Sequence, residues 1–198
     1  MFKKLAAKLA VALACTAGTS GLSEVQAQAA PASTAPTIHP GTKLNFAANL
    51  GGSQLASSAV VGSGAETGYT YQYATPQKMQ IVVYVYDGGR RVPNGSDNAV
   101  VLRQFSSDFD MAEQQVKSAG YTNFERQAVA STCAYGAATF RCAVYSASSP
   151  SGRLYSKMLL TGYNGYFVKI RIDWSQAAGH SISDADRTLE SFVNALMH

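Results

Sequence analysis

The chain has 198 residues, a formal net charge of +4 and a sequence pI near 9.0, with 14% charged and 10% aromatic residues. Part of that positive charge lies in the first 29 residues. Without Lys3, Lys4, Lys8 and Glu24 the remainder holds thirteen basic and eleven acidic residues, a net +2, which leaves no basic stripe for nucleic acid.

Phe2-Lys3-Lys4 begins a short basic region. An Ala/Leu-rich run from Leu9 to Ala17 follows, and Ala27-Gln28-Ala29 has the small-x-small form of a cleavage site. The order of these elements predicts a Sec-type signal peptide over 1–29, cut after Ala29, and hence a periplasmic or secreted protein. The apolar run is too short and interrupted for a transmembrane segment. Cys15 follows Ala12-Leu13-Ala14, a loose match to the lipobox of bacterial lipoproteins. Ala12 stands where that pattern usually has Leu, so a lipid anchor at Cys15 ranks behind cleavage at Ala29.

Residues 30–41 are Ala, Pro, Ser and Thr with few large apolar side chains, and read as a flexible linker. A single domain is expected over 42–198. It begins with a short strand at Lys43–Phe46, a turn at Asn49–Gly52 and a weak strand at Gln54–Val61. Gly68–Thr75 alternates Tyr69, Tyr71 and Tyr73 with small or polar residues, the pattern of a half-buried strand with an aromatic face. Lys78–Tyr86 is the strongest strand, and large side chains on both of its faces predict a central, doubly covered position.

Asp87–Asp97, DGGRRVPNGSD, is a loop by its Gly, Pro and Asn content. A helix follows from Asn98 to Ala119, with Val101, Phe105, Phe109, Ala112, Val116 and Ala119 at helical spacing. Ser96 or Asp97 is the expected N-cap, and Gly120 the stop. Tyr121–Cys133 and Thr139–Ala147 read as strands joined by a turn at Ala137-Ala138, which would set Cys133 opposite Cys142. Once the leader is removed these are the two remaining cysteines. An even pair in an exported protein reads as a disulfide, with two buried free thiols as the alternative.

Leu154–Trp174 contains two apolar-rich runs around Asn164-Gly165, a pair suited to a two-residue type I′ turn. That turn pairs Tyr163 with Tyr166, Leu159 with Ile170 and Tyr155 with Trp174. Neither resulting face is wholly polar, so cover is expected on both. A final helix is expected over Asp184–Met197, with Ala185, Leu189, Phe192 and Leu196 as its stripe and Ser183 with Asp186 as its capping pair. The fold class is therefore α+β: a mainly antiparallel sheet of about seven or eight strands with two helices, one packed on each face.

The YVYDGG stretch before a loop and helix, then LTGYNGYFVKIRI and a terminal helix, resembles a family of small exported bacterial proteins without an assigned activity. The element order is similar to PsbP-like or Mog-like α/β/α sandwiches. The resemblance spans about residues 42–197 and implies a binding or assembly role rather than one chemistry.

No residue pattern names a catalytic group. His39, His180 and His198 have no metal-ligand spacing, and no cofactor or metal motif is present. Asp108 and Asp110 sit two apart within a helix and point apart, while Asp184 and Asp186 fall in a first helical turn. Ser151-Gly152-Arg153-Leu154-Tyr155 superficially resembles the Ser-Gly-x-x-Tyr loop of periplasmic lysozyme inhibitors, but a hairpin turn explains it. Arg90 and Arg91, in the loop before the first helix, are the candidate binding residues. The sequence thus favours a non-catalytic protein that binds another protein or an envelope component. The alternatives are an enzyme whose site forms only in three dimensions, and an inhibitor or immunity-type protein for a periplasmic enzyme.

Overall fold

Asn164 and Gly165 have φ of +49° and +91° and join two long strands by the expected two-residue turn. Tyr163 pairs with Tyr166, Leu159 with Ile170 and Tyr155 with Trp174, as the sequence predicts. The computed structural model describes residues 34–64 and 67–197. The expected leader, its cleavage site and Cys15 lie outside the described residues.

Among the described residues nine strands and two α-helices follow one another as β1 (Asn49–Leu50), β2 (Ser53–Val61), β3 (Gly68–Ala74), β4 (Gln80–Tyr86), α1 (Ala99–Ser118), β5 (Thr122–Arg126), β6 (Thr132–Tyr135), β7 (Ala138–Ser149), β8 (Gly152–Tyr163), β9 (Tyr166–Ser175) and α2 (Ile182–Met197). They form one antiparallel sheet in the order β1-β2-β3-β4-β9-β8-β7-β5, with β6 also paired to β7. β4 is central, as its two apolar faces predict.

Alternation along the strands divides the core in two. Ile81, Val83, Val85, Leu159, Val168, Ile170 and Ile172 point to one side, where α2 lays down Ala185, Leu189, Phe192, Val193 and Leu196. Ala143, Tyr145, Met158, Leu160 and Phe167 point to the other, beneath Val101, Phe105, Phe109 and Ala112 of α1. One helix covers each face, and the fold is the α+β arrangement expected.

Several boundaries differ for local reasons. Lys43–Phe46 is not a strand; His39 to Leu44 close a tight turn with one bridge, Ile38 to Asn45. Residues 34–41 of the expected linker pack on the domain: Ala35 and His39 are buried, and the Tyr71 hydroxyl donates to Pro36 O at 2.9 Å. The aromatic face of β3 is what receives this segment, with Phe46 stacked on Tyr71. Tyr121–Cys133 is interrupted, so β5 and β6 pair in succession with one long partner, β7.

The caps are shifted too. Asn98, not Ser96 or Asp97, caps α1 by accepting from Val101 N at 2.9 Å. At α2 the reciprocal pair is Ser181 and Asp184 rather than Ser183 and Asp186. Each true cap sits where the chain already turns into the helix, which composition alone does not fix.

The β6–β7 turn falls at Gly136-Ala137, one residue earlier than expected, so Cys133 pairs with Phe140 and not with Cys142. A one-residue shift of a turn changes the partner by two and preserves the face. The two cysteines therefore remain on one side, with Cα atoms 6.1 Å apart and sulfurs at disulfide distance.

Candidate functional site

The loop between β4 and α1 does not hang free. β7 stops pairing with β8 at Arg141–Leu160, and the loop takes over the edge that is left. Gly95 and Gly162 exchange backbone hydrogen bonds at 2.9 and 3.1 Å, and Val92 N donates to Gly165 O at 3.0 Å. Asn94 Oδ1 accepts from Asn164 N at 2.8 Å, while Asn164 Nδ2 donates to Thr42 O at 3.0 Å. Three chain segments thus meet at the hairpin tip: 39–42, 92–95 and 162–165.

Glycine at 162 is required by this meeting. A Cβ there would lie 1.9 Å from Pro93 O. Val92 is buried against the α1-side core and anchors the loop from below. Asn98 ties it to the helix, since its Nδ2 donates to Gly95 O at 3.1 Å while its Oδ1 caps α1.

The structure separates Arg90 from Arg91. Both are exposed. The Arg90 guanidinium lies 5.7 Å from the centroid of the Phe167 ring, a cation–π contact on the α1 side. Arg91 instead lines a polar hollow of about 330 Å³ with Val92, Pro93, Asn94, Asn164 and Gly165. Among the described residues neither arginine is in an ion pair. A second hollow of about 250 Å³ opens on the α2 side, between the loop, the β6–β7 turn and the end of α2. Its walls include Tyr135, Thr139, Tyr163, Val193, Asn194 and Met197, and among the described residues no charged side chain lines it. Asn94 borders both hollows.

Other polar constellations lie within the described fold. Asp108 is buried beneath α1, where its carboxylate accepts from Tyr86 Oη at 2.7 Å and Gln104 Nε2 at 2.9 Å. Lys169 Nζ stands 3.3 Å from the same group. Burial, then the Asp108 charge, holds the Tyr86 hydroxyl well above the usual phenol range. The Asp108 carboxylate is buried between helix and sheet while Lys169 stays partly exposed, and these bonds fasten α1 to the sheet. Beside it, burial opposes the Arg171 charge, but Asp173, Tyr84 and Tyr145 outweigh that and raise its pKa.

On the opposite face Lys157, 7% exposed, pairs with Asp186, which also accepts from Tyr135 Oη at 2.7 Å. The Tyr135 hydroxyl is held high, mainly by burial and then by that bond. His39 is fully buried, with Nδ1 accepting from Thr42 N at 2.9 Å and the ring packed edge-on to Tyr69 and Tyr166. Burial first, and Lys43 second, press its pKa down to about 4.

No protein-family model matches the chain, and no curated protein does. Among the described residues no cluster of three His, Cys, Asp or Glu side chains is placed to hold a metal, and no helix is long and apolar enough to cross a membrane.

Of the residues singled out in the sequence, Arg91 is brought to a concave surface and Arg90 beside it is turned away. Sequence reasoning missed Asn94, Asn164 and Gly162. The hairpin was legible, but its contact with a loop about seventy residues earlier leaves no local pattern. Asp108 was also missed as a packed group, although it lies three after Phe105 and four before Ala112, on the apolar stripe itself.

Proposed function

We propose that the protein is an exported, non-catalytic binding protein of the cell envelope, and that it binds through the hairpin-tip end. The resemblance to PsbP-like or Mog-like sandwiches belongs to the same reading; the order of elements, with a helix for each face, supports it. The carrying observation is the loop 92–95. Backbone hydrogen bonds clamp it along β8, so Arg91 and Asn94 are presented from a rigid base, and among the described residues no carboxylate is paired to the guanidinium. A polar loop held on a rigid scaffold suits recognition, because little ordering entropy is lost on binding. The polar sets that resemble catalytic groups, around Asp108 and Asp186, are engaged in fastening the two helices.

A photo-crosslinking amino acid tests this. Placed at exposed Pro93, it should give a discrete adduct with an envelope component. The same group at exposed Ser118, at the far end of α1, should not. The Arg90→Ala/Arg91→Ala double variant should lose the Pro93 adduct with its melting temperature within a few degrees of the parent's. Exposed loop substitutions typically stay within about 0.5 kcal/mol. Equal adducts from both positions, or an adduct that survives the double variant, would remove the hairpin tip as the binding end.

A further inference from the structure

We propose that the hairpin tip captures the free C-terminal carboxylate of a peptide, whose last apolar side chain enters the neutral hollow beside it. The proposal rests on the binding reading above and names its ligand. Two observations on the donor set lead to a carboxylate. Arg91 offers a planar fork of N–H groups with no ion pair among the described residues. Asn94 has its Oδ1 committed to Asn164 N, so its amide nitrogen is the end left to donate. The polar hollow therefore presents N–H donors from two side chains, and no carboxylate lines it. An oxyanion complements it, and a carboxylate matches the guanidinium fork in shape as well as in charge.

The neighbouring hollow decides what the anion is attached to. It begins at the same Asn94, and among the described residues no charged side chain lines it. Ala137, Ala138 and Met197 give it an apolar wall over buried Val193, Tyr135 and Tyr163 add aromatic surface, and Thr139 and Asn194 supply polar groups at its side. A methionine in such a wall adapts to side chains of different shape. More apolar than polar surface lines this hollow, although Thr139 and Asn194 also reach it, so an aliphatic side chain fills it better than the several hydroxyls of a sugar acid. A terminal residue with an apolar side chain places carbon there and its carboxylate at Arg91. Arg90 has no part in the contact, because its guanidinium is over Phe167.

The probe is a set of N-acetylated tetrapeptides ending in Ala, Val, Leu, Met or Phe, each as free acid and as C-terminal amide, titrated calorimetrically into the purified protein. The expected result is saturable binding of at least one free acid, with the matching amide at least tenfold weaker. Arg91→Ala should weaken the acid at least tenfold, and Arg90→Ala less than twofold. Asn94→Asp keeps the acceptor for Asn164 N but sets a carboxylate against the ligand, so it should abolish binding. Ala137→Phe, at an exposed turn position on the neutral hollow, should erase the preference among last residues while leaving the fold intact.

Equal binding of acids and amides overturns the proposal. So does retention of affinity in Arg91→Ala. Binding of glucuronic acid with no binding of any peptide would make the ligand an acidic sugar, and Arg91-dependent binding of inorganic phosphate alone would make the hollow a bare anion site. Either result overturns the assignment, as does silence from every probe at millimolar concentration. The Pro93 adduct is independent of these outcomes. If it forms while the peptides fail, the binding end stands and only the ligand is wrong.

Discussion

At the scale of single residues, the buried polar groups show how far one side chain's chemistry constrains the fold. His39 is held neutral by its surroundings: Nδ1 must accept from Thr42 N, and two tyrosine rings close over the ring. Lys43 is the charged group beside it, and Tyr69 and Tyr166 are the titratable groups packed against it. Its folded pKa, about 4, lies below the unfolded value of 6.5. The unfolded chain therefore takes up a proton in this window while the native protein does not. Stability is full above pH 6.5, falls as pH drops below it, and has lost the whole contribution below about pH 4. Urea melts at pH 7.5 and 4.5 measure it. Wild type should lose on the order of 2–3 kcal/mol more than His39→Phe, which cannot titrate. Equal losses in the two proteins would mean that His39 protonates freely in the folded state.

Asp108 teaches a complementary lesson about what a sequence discloses. It and Asp110 point apart, Asp108 buried and Asp110 exposed. The informative spacing was to Phe105 and Ala112, which puts a carboxylate on the buried stripe and calls for a cation on the facing strand. Lys169 was on that face in the hairpin register. The signal lay in two distant elements and needed their packing to become visible. Cys133 and Cys142 were legible as a pair because alternation keeps them on one face whichever of two neighbouring turns is formed.

At the scale of elements, periodicity was a good guide wherever burial follows it. The β8–β9 hairpin, the central β4 and both helical stripes came through with their faces intact, except that Ala119, expected on the first stripe, lies beyond the end of α1 and is exposed. Caps, the break between β5 and β6 and the docking of the 92–95 loop did not, since each depends on hydrogen bonds that compete locally or reach across the chain. The loop is the functional case, and Gly162 is its weak point. An alanine there must displace the Pro93 carbonyl, because its Cβ would stand 1.9 Å from that oxygen. Gly162→Ala should cost about 1–3 kcal/mol, the usual range for forcing an extra methyl into a packed site. Hydrogen exchange gives a local readout: the amides of Val92 and Gly95, bonded to Gly165 and Gly162, should lose protection before those of the sheet centre. Unchanged exchange at both amides would show that the loop is not held by this seam.

At the scale of the molecule, the described domain packs from Ala35 onward, while the leader motif ends at Ala29. Cleavage there would leave a short lead of small residues before the first chain segment that the β3 aromatics hold. The cysteine pair fits the same account. A cross-strand bond between β6 and β7 staples the edge on which the neutral hollow is built, and such bonds persist in oxidising compartments. Export and oxidation are thus expected together in one preparation. Protein recovered from the periplasm or medium of its native host should begin at Ala30. Its unreduced peptide map should join the segments holding Cys133 and Cys142, with no thiol open to alkylation. A chain beginning at a lipid-modified Cys15 and recovered from membranes would put the lipoprotein reading in place of cleavage at Ala29. A chain starting at Met1, with both thiols free and confined to the cytoplasm, would refute export and take with it any ligand drawn from the envelope.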